Sequence, residues 1–237
     1  MRLDEAIVAR GLIDSRNKAK ELIKNSKIKV NNKIIKKPSF KVNQEDEIVL
    51  LEDKVYVSRA ALKLKNYLQK HNLRFDKKEV LDVGSSTGGF SEVSLEMGAK
   101  KVVSVDVGRD QLHPSLKNNP KIESYEGVDF RDFEYNGKFD VIVSDVSFIS
   151  LLKLIKNIDK YAKDDIILLF KPQFEVGKDV KRDKRGVVVD KEAIKRAREN
   201  FENECKKLGW NLIRSEESSI KGKEGNIEYI YHFKKVK

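Results

Sequence analysis

The sequence predicts an α/β protein in which a small α+β module precedes an open, mostly parallel, doubly wound sheet. From Glu79 onward, short runs rich in Val and Ile alternate with segments long enough for a helical crossover. The first part of the chain shows instead two helical apolar stripes and then short alternating runs. A glycine-rich turn, LDVGSSTGGF at 81–90, follows the first Val-rich run, as is typical of the ligand-binding edge of such a sheet.

The N-terminal module begins with two predicted helices. Leu3 and Ile7 lie at helical spacing, and Gly11 is suited to end that helix, while Ser15 stands where a second helix would take its N-cap. The stretch KIKVNNKIIKKPSFKV then alternates around Asn31-Asn32, a dipeptide suited to a tight hairpin turn because Asn tolerates positive φ. EDEIVLL predicts a further strand, so the module is expected to be a two-helix, short-strand unit with a small core.

Positive charge is concentrated in this module. The chain has 237 residues and a net charge of +11, and residues 16–41 contain ten Lys/Arg and one acid, a local net charge of +9. Such a concentration favours a polyanionic partner over a general compositional bias, although a solvated lysine face would look similar. Cys205 is the single cysteine, so an intrachain disulfide is excluded, a thiolate zinc site is disfavoured and a reducing cytoplasm fits.

The N-terminal stretch resembles the S-four RNA-binding domain. The resemblance is carried by RLDEAIVARGLIDSRNKAKELI, KIKVNN, KKPSFKV and DEIVL. It implies that the second helix and the loop after it hold RNA, and we assign the domain to residues 1–52, a linker to 53–58 and a second domain to 59–237. The RNA-binding residues that this resemblance and the basic pattern indicate are Arg2, Arg16, Lys18, Lys20, Lys24, Lys27 and Arg59.

The second domain opens with a helix and continues with strands. SRAALKLKNYLQKH predicts the helix, with Ser58 as its N-cap. EVLDV, KVVSVDV, KIESYEG, FDVIVSDV and DIILLF predict strands buried on both faces of a parallel sheet. The tail segments WNLIRSEES and NIEYIYHFKK predict a closing hairpin at one edge of the sheet.

The glycine turn is the first candidate binding site. Gly84 would turn the chain off the strand, and Gly88 and Gly89 would allow a ligand and the next helix to approach the backbone closely. A nicotinamide-type turn requires G-x-G-x-x-G, but Ser86 stands at the second glycine position, which disfavours a dinucleotide. The acid, one residue, Gly and small-residue turn resemble instead the first motif of S-adenosylmethionine-dependent methyltransferases.

Acidic residues near the ends of successive strands complete this cofactor site. The resemblance implies that Asp106 binds the ribose hydroxyls of S-adenosylmethionine and that Asp129 meets the adenine amine; Asp145 ends the FDVIVSD strand. A single acid at a strand end is more often a cap or turn residue, so the hypothesis depends on the whole set. The predicted cofactor-binding residues are Asp82, Gly84, Ser85, Ser86, Thr87, Gly88, Gly89, Phe90, Asp106, Val107, Asp129, Phe130 and Asp145.

The whole chain resembles the TlyA family, historically called haemolysin A, in which an S-four domain precedes an FtsJ-type methyltransferase domain. The motifs that carry the resemblance are YVSRAALKL, DVGSSTGGF, VDVGRDQLHPSL, DVSFISL, LFKPQFEVGK, KRGVVVD and GNIEYIYHF. It implies a seven-stranded, Rossmann-like methyltransferase sheet, S-adenosylmethionine as cofactor, and 2′-O-methylation of cytidine ribose in ribosomal RNA. The implied partner is ribosomal RNA or a ribosomal subunit.

The FtsJ resemblance also implies a catalytic Lys-Asp-Lys-Glu tetrad, here Lys63, Asp145, Lys171 and Glu228. A ribose 2′-hydroxyl is a poor nucleophile at neutral pH, so it needs a positioned base, and a lysine becomes one when burial or a cationic neighbour lowers its pKa. We assign that role to Lys171. Lys63 would orient the hydroxyl, the two carboxylates would hold the lysines, and no metal is required.

Two other function classes compete with the enzyme. One is a ribosome-associated RNA-binding protein that holds the cofactor without turnover, against which the intact tetrad argues. The other is a membrane-lytic haemolysin, against which the lack of a long apolar run or a strongly amphipathic barrel pattern argues. We therefore expect a cytoplasmic protein that does not bind membranes and is a monomer or weak dimer.

Overall fold

The structure is a computed structural model that describes residues 1–51 and 56–236. The chain divides into two compact units, Met1–Val55 and Tyr56–Lys237. The predicted linker 53–58 lies partly outside the described residues, because 52–55 are among those not described.

The N-terminal unit contains two helices and a three-stranded antiparallel sheet. Its elements are α1 (Leu3–Ala9), α2 (Arg16–Lys24), β1 (Ile28–Val30), β2 (Lys33–Ile34) and β3 (Ile48–Leu50). The sheet order is β2-β1-β3, and Asn31 and Asn32 join β1 to β2 with φ values of 47° and 64°. The predicted hairpin turn is confirmed, since both central residues adopt the left-handed conformation that a two-residue turn of this kind requires.

A small apolar core holds the N-terminal unit together. Leu3 and Ile7 from α1, Ala19 and Ile23 from α2, and Ile28 from β1 are all fully buried. The helical stripes that predicted α1 and α2 therefore face this core, as amphipathic helices of a small domain must. Ser15 stands at the N-cap position of α2, but among the described residues its side chain makes no capping hydrogen bond.

The second unit alternates strands and helices along the chain. Its elements are α3 (Arg59–Lys70), β4 (Glu79–Val83), α4 (Gly89–Glu96), β5 (Lys101–Asp106), α5 (Pro114–Lys117), β6 (Ile122–Glu126), β7 (Phe139–Ser144), α6 (Ile155–Tyr161), β8 (Ala162–Phe170), α7 (Pro172–Glu175), α8 (Lys191–Lys207), β9 (Trp210–Glu217) and β10 (Tyr229–Lys235). Short 3₁₀ turns lie at Phe130–Asp132 and Leu151–Lys153.

These strands form one seven-stranded sheet in the order β6-β5-β4-β7-β8-β10-β9. The first five in this order are parallel, and β10 is antiparallel to both β8 and β9. The predicted hairpin of the tail is confirmed, with β10 lying between β8 and β9. Strand order reverses beside β4, so the carboxyl ends of β4, β5 and β7 border the crevice where such sheets bind ligands.

Alternate residues of the central strands belong to two separate apolar clusters. In β8, Ile166 and Leu168 belong to one cluster, and Ile167 and Leu169 to the other. Because successive strand residues point to opposite faces, the sheet is covered on both faces, as the Val-rich and Ile-rich runs predicted. The prediction is wrong for β6, an edge strand whose residues are half-buried or exposed.

Candidate active site

The glycine turn leaves β4 through Gly84, whose φ is +78°. A Cβ atom there would lie 2.7 Å from Cγ1 of Val146, so the position requires glycine both for its backbone conformation and for the close approach of the loop after β7. Two residues later, the Ser86 amide donates a 2.8 Å hydrogen bond to Asp106 Oδ2. The turn after β4 is thereby attached to the end of β5.

A cavity of about 570 Å³ lies beside this turn. The Asp106 carboxylate on its wall is fixed by two backbone amides, because Oδ2 accepts from Ser86 and Oδ1 accepts from Gly108 at 2.7 Å. Apolar walls face the same space. Of the predicted cofactor residues, those that line this cavity are Gly84, Ser86, Asp106, Val107, Asp129, Phe130 and Asp145.

A second, smaller cavity of about 170 Å³ adjoins the turn and reaches Lys171. The other predicted cofactor residues found here are Asp82, Ser85, Thr87, Gly89 and Phe90. Gly88 lines neither cavity: it is the N-cap residue of α4, and a Cβ there would clash with Cδ1 of Leu116 and lie 2.7 Å from Cδ1 of Leu112. The close packing of Leu112 and Leu116 against the backbone therefore requires glycine at position 88.

Asp82 differs from the expected strand-end acid. It lies within β4 and is completely buried, with Oδ2 accepting a 2.6 Å hydrogen bond from Ser91 Oγ. Within the described residues Asp82 Oδ1 has no hydrogen-bond partner. Burial raises the pKa of this carboxyl to about 7, against the hydrogen bond from Ser91, which favours the ionised form.

Asp129 reaches the main cavity but is already engaged by a neighbour. Its Oδ1 accepts from the Arg131 amide at 2.9 Å, and the Arg131 guanidinium donates to both carboxylate oxygens. These hydrogen bonds hold the pKa of Asp129 down at about 2. A ligand amine at this position would share an ionised carboxylate with Arg131.

The structure brings the four predicted catalytic residues together in one buried cluster. Lys63 comes from α3, Asp145 follows β7, Lys171 follows β8 and Glu228 precedes β10. Three of the four residues are buried: Lys63 is 8% exposed, Lys171 is 7% exposed and Glu228 is 3% exposed. Residues up to 165 positions apart in sequence therefore meet at the carboxyl edge of the sheet.

Two ion pairs and one longer contact order this cluster. Lys63 Nζ lies 2.7 Å from Glu228 Oε2, and Lys171 Nζ lies 2.6 Å from Asp145 Oδ1. The second oxygen of Asp145 lies 3.9 Å from Lys63 Nζ, so this carboxylate stands between the two lysines. Because buried polar groups are tolerated in proteins when they are paired, the two carboxylates allow both lysine side chains to lie in a region of low solvent access.

Three polar residues of this site were not predicted. Ser147 Oγ accepts a 2.8 Å hydrogen bond from Lys171, and Gln173 Nε2 lies 3.4 Å from Glu228 Oε1. Glu175 binds the loop after β7 through Ser150 Oγ at 2.6 Å. All three lie inside the motifs DVSFISL and LFKPQFEVGK, which were the available signal, but neither motif alone shows which side chains meet.

The predicted RNA-binding residues have different surroundings in the structure. Arg2 and Arg16 each place Nε 2.9 Å from the fully buried Asp4, so both arginines stabilise the unit itself. Lys20 and Lys24 follow on α2, and Lys24 is exposed. The remaining predicted residues are Lys18, which lies 3.9 Å from Asp14, Lys27 just after α2, and the exposed Arg59 at the start of α3 in the second unit.

Comparison with known families agrees with this geometry. A glycine turn beside a cavity of about 570 Å³ at the switch point of a mostly parallel sheet is the position at which such folds bind a ligand. Residues 56–235 match the model of the FtsJ-like methyltransferase family, and residues 1–48 match the S4 domain. The chain therefore belongs to the FtsJ-like methyltransferases and carries an S4 domain, which confirms the predicted fold class and cofactor.

Individual relatives cover nearly the whole chain. It is 49% identical to the "23S rRNA (cytidine-2'-O)-methyltransferase TlyA" of Campylobacter jejuni, over 98% of this chain and 99% of that protein. It is 36% identical to the "16S/23S rRNA (cytidine-2'-O)-methyltransferase TlyA" of Mycobacterium tuberculosis, over 97% and 88%. A solved structure from Streptococcus thermophilus, described as a candidate hemolysin, superposes with a TM-score of 0.74 at 32% identity, over 100% of this chain and 88% of that one. The predicted TlyA resemblance is confirmed.

Within residues 1–51 and 56–236, no helix combines the length and apolarity that a membrane crossing requires. The same ranges hold no group of three or more His, Cys, Asp or Glu side chains placed to bind a metal ion.

Proposed function

We propose that this chain transfers a methyl group from S-adenosylmethionine to the ribose 2′-hydroxyl of a cytidine in 23S ribosomal RNA. The printed activity of the relative at 49% identity supports the substrate, and membership of the FtsJ-like family supports the reaction. The observation in the structure that carries the proposal is the buried Lys63–Glu228 and Lys171–Asp145 cluster beside the two cavities.

The residues of the main cavity fit an S-adenosyl group. Each oxygen of Asp106 accepts one backbone N–H and keeps acceptor capacity for a second donor, which suits two ribose hydroxyls. Apolar side chains such as Phe130 offer a surface for a flat base. Gly84 lines the same cavity.

The small cavity is lined both by residues of the glycine turn and by residues of the tetrad. Its wall includes Asp82 and Gly84 from the glycine-turn side, and Asp145 and Lys171 from the tetrad. A donor bound along the turn therefore has its reactive end near the tetrad. Bound there, S-adenosylmethionine supplies a methyl group made electrophilic by its sulfonium.

The chain's own residues then supply a base and orientation. Lys171, as the neutral amine, accepts the proton of the 2′-hydroxyl, and Asp145 and Ser147 fix the position of its nitrogen. Lys63, held by Glu228, orients the hydroxyl oxygen toward the methyl group. Holding both reactants in line provides a large part of the rate without a metal ion.

RNA affinity is assigned mainly to the N-terminal unit. A positive surface for the phosphate backbone is provided by Lys20 and Lys24 on α2 and by Lys27 just after it. Arg2 and Arg16 stabilise the fold of the same unit through their ion pairs with Asp4. We further propose that the partner is a ribosomal subunit, that the protein acts in the cytoplasm and does not bind membranes, and that it works as a monomer or weak dimer. The ribosomal RNA substrate supports the partner and the compartment.

The test is to map the methylated nucleotide. Purified full-length protein and methyl-labelled S-adenosylmethionine are incubated with 23S RNA, 16S RNA and each ribosomal subunit from cells that lack the protein. We expect label on a cytidine ribose in 23S RNA, which leaves an alkali-resistant linkage because alkaline cleavage needs a free 2′-hydroxyl. Asp106→Ala serves as a control that should fold and fail to bind the cofactor. Label on a base, or no label in any RNA, would refute the proposal.

A further inference from the structure

The loop between β7 and the 3₁₀ turn at Leu151–Lys153 is attached to α7 at its start. Lys171 immediately precedes this four-residue helix. Its Nζ lies 2.6 Å from Asp145 Oδ1 and donates to Ser147 Oγ at 2.8 Å. The first residues of the loop therefore determine the surroundings of the proposed base.

The far end of the same loop is attached to the last residue of α7. Glu175 Oε2 accepts a 2.6 Å hydrogen bond from Ser150 Oγ, and Oε1 accepts a 2.8 Å hydrogen bond from the Leu151 amide. Lys171 and Glu175 are four residues apart, so one helical turn brings both to the side that faces the loop. The loop is thus held at two points by a single turn of helix.

Between these two points the loop has a conformation that needs support. Phe148 has a φ of +65°, which is unfavourable for a residue other than glycine, and it is 91% exposed. Its ring contacts Phe174 of α7, with centroids 5.2 Å apart. Val146 and Ile149 of the same loop line the main cavity. A shift of this loop would change both the cavity and the partners of Lys171.

We propose that Glu175 is a positioning residue for methyl transfer. By accepting from Ser150 and Leu151 it fixes the far end of the loop, and so fixes where Asp145 and Ser147 stand relative to Lys171. It acts through the loop and touches neither the donor nor the hydroxyl. The proposal rests on the proposed function for its catalytic part, and on the hydrogen bonds alone for its structural part.

The test compares three variants of the full-length protein. Glu175→Ala removes both acceptors, while Glu175→Gln keeps an oxygen for the Leu151 amide and a donor for Ser150 Oγ. Asp140→Ala is the matched control: Asp140 accepts from the Glu79 amide at 2.9 Å near the opposite end of β7, away from the site. Single-turnover rates, cofactor affinity, melting temperature and amide exchange of residues 146–151 are measured for each.

We expect Glu175→Ala to lower the methyl-transfer rate about 10- to 100-fold, because small misplacements of reacting groups have effects of this size. Cofactor and RNA affinities should change only a few-fold, and exchange of the 146–151 amides should accelerate. Glu175→Gln should restore the rate and the protection to near the wild-type values. Asp140→Ala should melt earlier than wild type while its rate and loop exchange stay unchanged.

Several results would overturn the role of Glu175. These are unchanged loop exchange in Glu175→Ala, faster exchange with an unchanged rate, or a Glu175→Gln variant as slow as Glu175→Ala. A wild-type protein that methylates no RNA would refute the proposed function separately, because the exchange measurement still decides whether Glu175 holds the loop.

Discussion

Each unit has one aspartate that is completely buried among its described residues, and the pKa values of the two aspartates are shifted in opposite directions. In the N-terminal unit, Asp4 is paired with Arg2 and Arg16, each at 2.9 Å. Burial opposes its ionisation, but hydrogen bonds from the two arginines outweigh burial and lower its pKa to about 2. In the methyltransferase unit, Asp82 has the hydroxyl of Ser91 as its partner, and burial raises its pKa to about 7.

This difference in pKa distinguishes a buried carboxylate that stabilises the fold, Asp4, from one that belongs to a functional site, Asp82. A paired buried carboxylate fixes the elements that carry its partners, and here it joins α1 to the start of α2. A buried carboxylate without a cationic partner is costly, and such groups are concentrated at functional sites. Asp82 lies on the wall of the small cavity, where a positively charged ligand would supply the missing partner.

The largest expected effect concerns the buried lysines of the methyltransferase unit. If these lysines take part in the reaction, Lys171→Ala should lower the methyl-transfer rate by about 10²- to 10⁴-fold, the usual contribution of a positioned base. Cofactor and RNA affinities, measured by calorimetry and by filter binding, should stay within a few-fold of wild type. Combining this change with Lys63→Ala should add little, since residues that act as one unit are not additive.

A lysine with a purely structural ion pair provides the matched control. Lys78 lies 2.8 Å from Asp165, in a pair outside the cavities described above. Lys78→Ala should lower the melting temperature, because it removes this ion pair, and should leave the turnover of the folded protein unchanged. Full turnover in Lys171→Ala, or an equal loss in Lys78→Ala, would show that Lys171 and the half-buried Lys78 do not differ in role.

The next effect is the pH dependence of stability at Asp82. Because the folded-state pKa is raised to about 7 from about 4, the native protein binds the extra proton, and this contribution to stability is lost as pH rises from about 4 through about 7. A rise of this size corresponds to roughly 4 kcal/mol. Asp82→Asn should therefore be more stable than wild type by an amount that grows over this pH range, as measured by denaturant unfolding without cofactor. A constant difference between pH 4 and pH 8 would contradict the assignment.

Much of the architecture could be predicted because its physical signals are local. Val-rich and Ile-rich runs, the Asn31-Asn32 turn and the glycine at position 84 each reflect a backbone requirement that a short window of sequence displays. The residues of the tetrad were identified by motif resemblance. Their meeting in space depends on the order of strands in the sheet, which periodicity alone does not give.

The parts that were missed depend on side-chain partners distant in sequence. Arg16 is predicted to contact RNA, and its position in a basic helix does not show that it also pairs with Asp4, twelve residues earlier. Asp82 has the appearance of a strand-end acid until its burial inside β4 is known. The loop anchor Glu175 has the appearance of an ordinary helix-end charge. In each case the sequence shows the residue type and only the fold shows what it contacts.

The smallest of the three effects concerns the paired aspartate of the N-terminal unit. Asp4→Asn removes the charge that Arg2 and Arg16 share, and since both arginines keep access to solvent we expect a loss of about 2 kcal/mol, below the usual range for a fully buried pair. In wild type the pKa is lowered, so this stabilisation is present above pH 4 and is lost as the pH falls from about 4 to about 2. Amide exchange of residues 1–51 in the full-length protein measures the stability of this unit directly.

The control for this prediction is Asp14→Asn, which changes an exposed carboxylate 3.9 Å from Lys18 in the same unit. An exposed pair of this kind contributes about 0–1 kcal/mol, so its exchange should stay close to that of wild type. Between pH 4 and pH 2, the protection factors of these amides, which are corrected for the intrinsic exchange rate at each pH, should fall in wild type and in Asp14→Asn, whereas those of Asp4→Asn should be low at pH 4 and change less. RNA affinity should fall in Asp4→Asn, because the lysines of α2 lose their folded support, while cofactor affinity should not. Equal exchange in the two variants would mean that burial of Asp4 beside two arginines does not stabilise the N-terminal unit, and the contrast with Asp82 would fail.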